Sequence, residues 1–340
     1  MIRLNIVAWH NGGGLSHDVD IIIAALPTDR FEVTLNGSRY HKAKIRRHRI
    51  SHRAHGFRQR WLHPKTLAAA PYDINLFLED ISPGFFRYAS INTFIPNPEW
   101  FRKSQYRHLE RINSVFCKTQ SGQSVFEALG LPTHFISFTS DDRLDTISSG
   151  EKQVGFLHLA GRSWQKGTKP LTDLWLRHPE WPLLTVVQNP KTYSQSRVKL
   201  IHAPNIKHVL ECLDNDSLRQ LQNTYSVHLC PSEAEGFGHC IAEAMSCGAV
   251  TLTTDAPPMN ELITRDRGVL VAHNKTRQQR AGINYYVDTE DLERKIEKII
   301  QMEPSSMQAL GQNARTWYEQ NDRVFRTQFV EALEATLLAS

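Results

Sequence analysis

Twice along the chain, short apolar runs alternate with helical stretches, and a polar joint separates the two series. Few folds fit this pattern, because strands alternating with helices close into parallel sheets covered by helices. The first series opens with the apolar run Leu4–Trp9, stopped by Asn11-Gly12-Gly13-Gly14. A helical stripe follows (Leu15, Val19, Ile22, Ile23, Leu26), closed by Pro27, and then a predicted strand over Phe31–Leu35. Further strands are expected over Ile74–Leu78, Ser90–Ile95, Ser114–Lys118 and Thr133–Phe138, with helices over 100–112 and Ser121–Leu129. The stretch from Ser140 to Gln153 carries Asp141, Asp142, Asp145, Ser148, Ser149 and Gly150 and reads as a linker. Alternation then restarts: strands over Val154–Leu159, Leu183–Gln188, Ile206–Leu210, Tyr225–Cys230 and Ala249–Thr253, helices over Pro170–Leu176, Asp216–Gln222 and Phe237–Ser246. Asp214 or Asp216 would cap the second of these helices. Three helical patterns occupy Thr289–Leu338. The expected α/β architecture is two Rossmann-like domains facing a central cleft: residues 1–140, a linker over 141–153, residues 154–320, and a helix over 321–340 that packs back on the first domain.

Composition narrows the class. Hydrophobic residues are 40% and charged residues 22%, which excludes a disordered or fibrous chain. No stretch reaches the roughly 18 apolar residues of a membrane-spanning helix. The first apolar run is too short for a signal-peptide core. Five scattered cysteines (117, 212, 230, 240 and 247) show no paired spacing and read as reduced thiols of a cytoplasmic protein.

Charge is distributed unevenly. Between Val33 and Tyr72 there is no acidic residue, yet Arg39, Lys42, Lys44, Arg46, Arg47, Arg49, Arg53, Arg58, Arg60 and Lys65 lie there with five histidines. The formal net charge is +5, and outside this window 30 basic residues face 35 acidic ones, so the entire excess sits in one segment. Such a block attracts phosphate backbones, anionic lipid surfaces or acidic glycans; the alternative is a solvated loop. Phe57, Trp61 and Leu62 interleave with the cations as on an interfacial helix.

The sharpest motif is Pro231-Ser232-Glu233-Ala234-Glu235-Gly236-Phe237-Gly238-His239-Cys240-Ile241-Ala242-Glu243. A strand ends, a glycine turn follows and a helix starts, so the N–H groups of Gly238, His239 and Cys240 form an anion site. Glu235 stands at the mouth, and Glu243, two helical turns inside, reaches along the same side. Two carboxylates beside an anion site suit a ligand with phosphates and hydroxyls, such as a nucleotide sugar. A second element, Gly161-Arg162-Ser163-Trp164-Gln165-Lys166-Gly167, follows another strand and offers two cations.

The glycine turn after the first strand, the GR…KG element and the E-x7-E pair Glu235/Glu243 together resemble GT-B retaining glycosyltransferases of the family-four type. That resemblance implies a transferase moving a sugar from a nucleoside-diphosphate sugar, a UDP-sugar being expected, with no further cofactor. It gives Arg162 and Lys166 the donor diphosphate, Glu243 the ribose hydroxyls and Glu235 the donor sugar. Gly13 and Gly14 would approach the diphosphate or acceptor, and the first domain would hold the acceptor. Arg46, Arg47, Arg49, Arg53, Arg58 and Arg60 then become candidate acceptor or surface contacts: a lipid-linked or surface glycan at the inner membrane face, with a modified DNA base as the alternative. A non-catalytic nucleotide- or polyanion-binding protein of the same fold is the competing class.

Departures from the family pattern are specific. Arg162 and Lys166 stand one residue closer together than usual, His239 replaces an aliphatic residue, and Gln188-Asn189 replaces a glycine pair. Glu79-Asp80 occupies the strand end where the family carries a histidine, and either side chain could contact the sugar or orient the acceptor. No metal site is expected: Asp18-Val19-Asp20 lies in a predicted helix and Asp214-Asn215-Asp216 at a helix start.

Overall fold

The computed structural model describes residues 1–9, 13–37, 70–145, 153–161, 163–190 and 200–339. Its first unit comprises Met1–Phe138, Arg280–Gly282 and Arg323–Ser340, and its second Thr139–Gln279 and Ile283–Asp322.

In the first unit six strands form one sheet: β1 (Ile2–Val7), β2 (Phe31–Asn36), β3 (Tyr72–Leu78), β4 (Ala89–Ile95), β5 (Ser114–Cys117) and β6 (Thr133–Phe135), in the order β2-β1-β3-β4-β5-β6. Every pairing is parallel. The strands are near-continuous apolar runs because both faces are covered. Helix α1 (Gly14–Ala25) buries Leu15, Val19, Ile21 and Ile22, and α2 (Gln120–Glu127) buries Phe126. Phe77, Phe94, Phe101, Val115 and Phe126 form a core with edge-to-face ring contacts.

Four strands are also joined by a buried ladder of amides. Asn36 Nδ2 donates to Asn5 Oδ1 at 2.6 Å, Asn5 to Asn75 at 2.7 Å, and Asn75 to Asn92 at 2.8 Å. Asn5 faces Asn75 and Asn75 faces Asn92 in the strand register, so each amide replaces its lost water with its neighbour.

The second unit repeats the plan. Strands β7 (Gln153–Gly161), β8 (Leu184–Gln188), β9 (Ile206–Val209), β10 (Tyr225–Cys230), β11 (Val250–Thr254) and β12 (Val269–Val271) form a parallel sheet ordered β12-β11-β10-β7-β8-β9. Helices α3 (Thr168–Arg177), α4 (Asn215–Thr224) and α5 (His239–Ser246) connect the strands. Trp175, packed on Phe156 and Trp181, centres the core. A two-stranded sheet, β13 (His273–Gln279) with β14 (Gly282–Val287), precedes α6 (Thr289–Ile300) and α7 (Pro304–Leu338).

Several expected elements differ. Residues 103–111 form a 3-10 helix, not an α-helix, and bury only Leu109, too little apolar surface for a full stripe. The helix expected from Phe237 starts at His239, because Gly238 takes the left-handed conformation at φ +113°. The tail holds two helices rather than three. Gly311 lets the 35-residue α7 pass close to Gly248, whose carbonyl oxygen would lie 2.2 Å from an added Cβ. The polar stretch expected as a linker begins inside the second unit, with Ser140 and Arg143 buried, and its residues 146–152 lie outside the described residues.

Candidate active site

In the second sheet β7 and β10 are neighbours, and the chain proceeds from β7 outward through β8 and β9, from β10 outward through β11 and β12. This reversal of strand order is the topological switch point, where parallel sheets leave a crevice beyond their carboxyl ends. The two sequence motifs are the loops leaving these two strands. They touch at Gly167: its φ is +69°, and an added Cβ would lie 2.1 Å from the Pro231 carbonyl oxygen. Beneath them His158 is buried between the strands. Its Nδ1–H donates to the Leu229 carbonyl at 2.7 Å, so Nε2 accepts from the Thr168 hydroxyl at 2.8 Å. Burial pushes this imidazole down to about 4, and it stays neutral.

At the crevice Lys166 Nζ donates to Glu235 Oε1 at 2.5 Å and lies 3.4 Å from Cys240 Sγ. Ser232 Oγ donates to the same carboxylate oxygen at 2.6 Å. Burial works against the charge on Lys166, but Cys240 and Glu235 outweigh it, so the ammonium is held charged above the ordinary lysine range. Both side chains are mostly buried yet reach the surface. The first turn of α5 opens here: its bonds back to the Gly238 carbonyl begin at Ile241 and Ala242, which leaves the N–H groups of Gly238, His239 and Cys240 ahead of the ladder. A cation, a helix start and a carboxylate therefore converge on one crevice, an arrangement that binds phosphate beside hydroxyl groups.

Inside α5, Glu243 is buried and fixed. Gln222 Nε2 donates to Oε2 at 2.8 Å, Ser140 Oγ to Oε1 at 3.4 Å, and the Arg143 guanidinium stands 3.6 Å away. His239 Nδ1 lies 3.0 Å from Ser140 Oγ, and its ring meets Phe237 edge-on. A second brace holds the Glu235 loop: Glu233 N donates to the Gln165 carbonyl and Tyr285 N to the Glu233 carbonyl, both at 2.7 Å, while Gln165 Nε2 reaches Asn284 Oδ1 at 3.1 Å. Ser140, Arg143, Gln222 and Asn284 carry no sequence signal for this role, because each lies outside the two motifs. Where Gln188-Asn189 replaces the glycine pair, Gln188 Oε1 contacts His208 Nε2 at 3.2 Å, and Asn189 Nδ2 donates to Cys212 Sγ at 3.1 Å.

The first unit has its own switch point, between β1 and β3. Gly13 caps α1 beyond β1, with Gly14 the first helical residue, and Glu79 and Asp80 follow β3. Glu79 holds a left-handed backbone at φ +63°, rare for a side chain larger than Asn or Asp. Its carboxylate accepts from Asn97 Nδ2 at 3.2 Å. Burial raises its pKa above the ordinary carboxylate range against the opposing pull of Lys118 and Asn97. Asp80 pairs with Arg102 at 2.7 Å. Asp18, half of one D-x-D, receives Lys118 Nζ at 2.9 Å with both side chains almost fully buried. Asp214, of the other, caps α4 by accepting from Ser217 N at 2.8 Å. No group of three potential metal ligands occurs among the described residues, and no described helix is long and apolar enough to cross a membrane. Gly12, Arg162 and the basic residues Arg46, Arg47, Arg49, Arg53, Arg58 and Arg60 lie outside the described residues.

Residues 172–317 match the family of glycosyl transferases group 1. No curated protein sequence matches the chain significantly. Among solved structures the chain is similar to HepE from Anabaena in complex with UDP and glucose: 17% identity, TM-score 0.71, covering 98% of this chain and all of that one. A glycosyltransferase from Rickettsia africae aligns at 13% identity and TM-score 0.73 over 100% and 99% of the two chains. Sucrose-phosphate synthase from Thermosynechococcus elongatus aligns at 13% and 0.70 over the whole of both. These likenesses establish the fold, two Rossmann-like units of the GT-B type. The group 1 domain over residues 172–317 makes the protein an enzyme, a glycosyltransferase.

Proposed function

We propose that this enzyme transfers a sugar from a UDP-sugar to an anionic or membrane-associated acceptor, with retention at the anomeric carbon. One observation carries the reading: Lys166, Glu235 and the start of α5 converge at the switch point of the second sheet, on a helix that also carries Glu243. The neighbour HepE was solved with UDP and with UDP-glucose, which favours uridine as the base. Lys166, with Arg162, holds the diphosphate, and the α5 N–H groups of Gly238, His239 and Cys240 share its charge. As the glycosidic bond breaks, negative charge grows on the leaving UDP. These fixed donors are placed to stabilise it, which is electrostatic preorganisation. Glu243 takes the ribose hydroxyls and Glu235 the sugar. Gly13 and Gly14 contact the diphosphate or the acceptor, and Glu79 and Asp80 contact the sugar or orient the acceptor. The basic segment Arg39–Lys65 docks the acceptor's anionic surface from the cytoplasmic side.

Calorimetry with UDP, followed by proton NMR of the product anomer, tests the donor half. Absent UDP binding, or an inverted anomer, overturns it. Liposome co-sedimentation beside a DNA gel shift, each across a salt series, tests the acceptor half. Binding to anionic vesicles that falls with salt supports it; a response to DNA alone replaces the lipid surface with nucleic acid.

A further inference from the structure

The hairpin β13–β14 is held at both of its ends. Its middle, Asn274–Gln278, is exposed, and a two-stranded hairpin alone is only marginally stable in water. Its tip, Arg280–Gly282, is counted with the first unit. There Ala281 N donates to the Pro98 carbonyl at 3.2 Å, and Ala281 packs against the core that holds Phe101. Gly282 passes so close to Glu99 that an added Cβ would lie 3.0 Å from the Glu99 nitrogen. Arg280 donates to the Trp100 carbonyl and lays its guanidinium over the Trp100 ring, 5.1 Å from the centroid. The loop between the strands is only Arg280-Ala281, and Arg280 takes a left-handed backbone at φ +55°. Hairpin turns ordinarily place glycine or asparagine at such a position. An arginine there keeps a costly backbone for the sake of what its side chain reaches. The seat on which it rests, Pro98–Trp100, follows Asn97, whose amide donates to Glu79.

The root of the same hairpin lies on the two donor loops. Buried Asn284 accepts from Gln165 Nε2 at 3.1 Å and donates to Glu233 Oε2 at 3.3 Å. Tyr285 N donates to the Glu233 carbonyl, and Glu233 N to the Gln165 carbonyl. Gln165 directly precedes Lys166, and Glu233 stands two residues before Glu235. On β14 only Ile283 separates Gly282 from Asn284, about 7 Å of extended chain, too short to absorb a shift of the tip. We propose that Arg280 is a positioning residue for sugar transfer: seated on Trp100, it sets, through Asn284 and Tyr285, the loops that carry Lys166 and Glu235. The hairpin makes the geometry of the donor site depend on the turn of the first unit that follows Asn97.

The consequence for the donor rests on the reading of Lys166 and Glu235 given above, whereas the mechanical link does not, and two measurements on the full chain read them separately. Arg280→Gly suits the turn and deletes the anchor. Without ligand, it should speed amide hydrogen exchange at Glu233 and Tyr285 at least about fivefold and leave β3 and β8 unchanged. Gly282→Ala, which wedges the tip away from Glu99, should do the same, and Arg280→Lys, which keeps a cation over Trp100, should stay within about twofold of wild type. In calorimetry Arg280→Gly should weaken UDP binding at least about fivefold, and combining it with Asn284→Ala should cost less than the product of the two single losses, because both act along one path. Exchange unchanged at Glu233 and Tyr285, exchange raised equally across both sheets, or losses that multiply in full overturns the proposal. Faster exchange with UDP affinity intact overturns the effect on the donor site. Wild type that never binds UDP, yet shows the exchange response, overturns the donor reading while the hairpin's link stands.

Discussion

Both units hold a lysine–carboxylate pair beyond the carboxyl ends of their strands, but the two use their lysines differently. In the first unit Lys118 and Asp18 form a closed pair, each side chain under 5% exposed, with the ammonium 5.0 Å above the Phe138 ring. In the second, Lys166 and Glu235 meet at 2.5 Å, but at 17% and 10% exposure, beside a helix start. A sealed ion pair is hydrogen-bonded within itself and has nothing left for a ligand; one that reaches solvent can exchange its carboxylate for a phosphate. Position in the fold is thus insufficient to mark a site. Burial decides whether a charge at that position holds the protein together or meets a substrate.

The sharpest way to break this comparison is to remove both lysines. Lys166→Met should cut turnover by roughly 10²–10³, the scale of deleting a donor to a developing charge, while the melting temperature holds. Lys118→Met should do the reverse, costing about 3–5 kcal/mol in denaturant unfolding because Asp18 is left buried and unpaired. If Lys118→Met keeps its stability and Lys166→Met loses it, the assignments are exchanged.

Next in size is a pH effect confined to the second unit. Burial holds His158 at about 4, against 6.5 for an ordinary imidazole. Between these values the unfolded chain takes up a proton that the native state refuses. Stability present above pH 6.5 is therefore lost as pH falls toward 4, by about 2–3 kcal/mol at pH 4.5. Carboxylates add their own slope, so the measurement is the difference in urea unfolding between wild type and His158→Gln at pH 7.5 and 4.5. An unchanged difference would show His158 protonated in the native state.

Much of this was legible from local signals. β1, β3, β10 and α1 follow from apolar runs and their stops, and the Glu235/Glu243 spacing set both carboxylates on one turn-helix unit. The unread part is what long separations bring together. Lys118 meets Asp18 across 100 residues, and Ser140 meets Glu243 across 103. The asparagine ladder needs the strand order before Asn5, Asn75 and Asn92 have any reason to be polar. β13 is exposed along most of its length and carries Lys275, Arg277 and Gln278 where periodicity offers no apolar alternation. Its partner β14 contributes Asn284, the brace behind Gln165.

A finer contrast lies within the donor site. Glu243→Ala removes a carboxylate assigned to ribose hydroxyls, and UDP affinity should fall about tenfold to a hundredfold, the worth of hydrogen bonds to a charged group. Glu235→Gln keeps the shape and takes a competing negative charge from Lys166, so UDP should bind as well or more tightly while turnover falls. Calorimetry against initial rates separates the two, and the opposite pattern would exchange their roles.

The smallest expected effect is none at all. Excess EDTA should leave turnover unchanged, because in the proposed reaction the charge on the leaving UDP meets Lys166 and the start of α5. The two D-x-D pairs are committed elsewhere: Asp18 binds Lys118, and Asp214 caps α4 through Ser217. Activity lost in EDTA and restored by magnesium or manganese would show a divalent ion at the diphosphate. The open lysine of the second unit would then share its task with a metal, and the contrast with the sealed lysine of the first would lose its catalytic meaning.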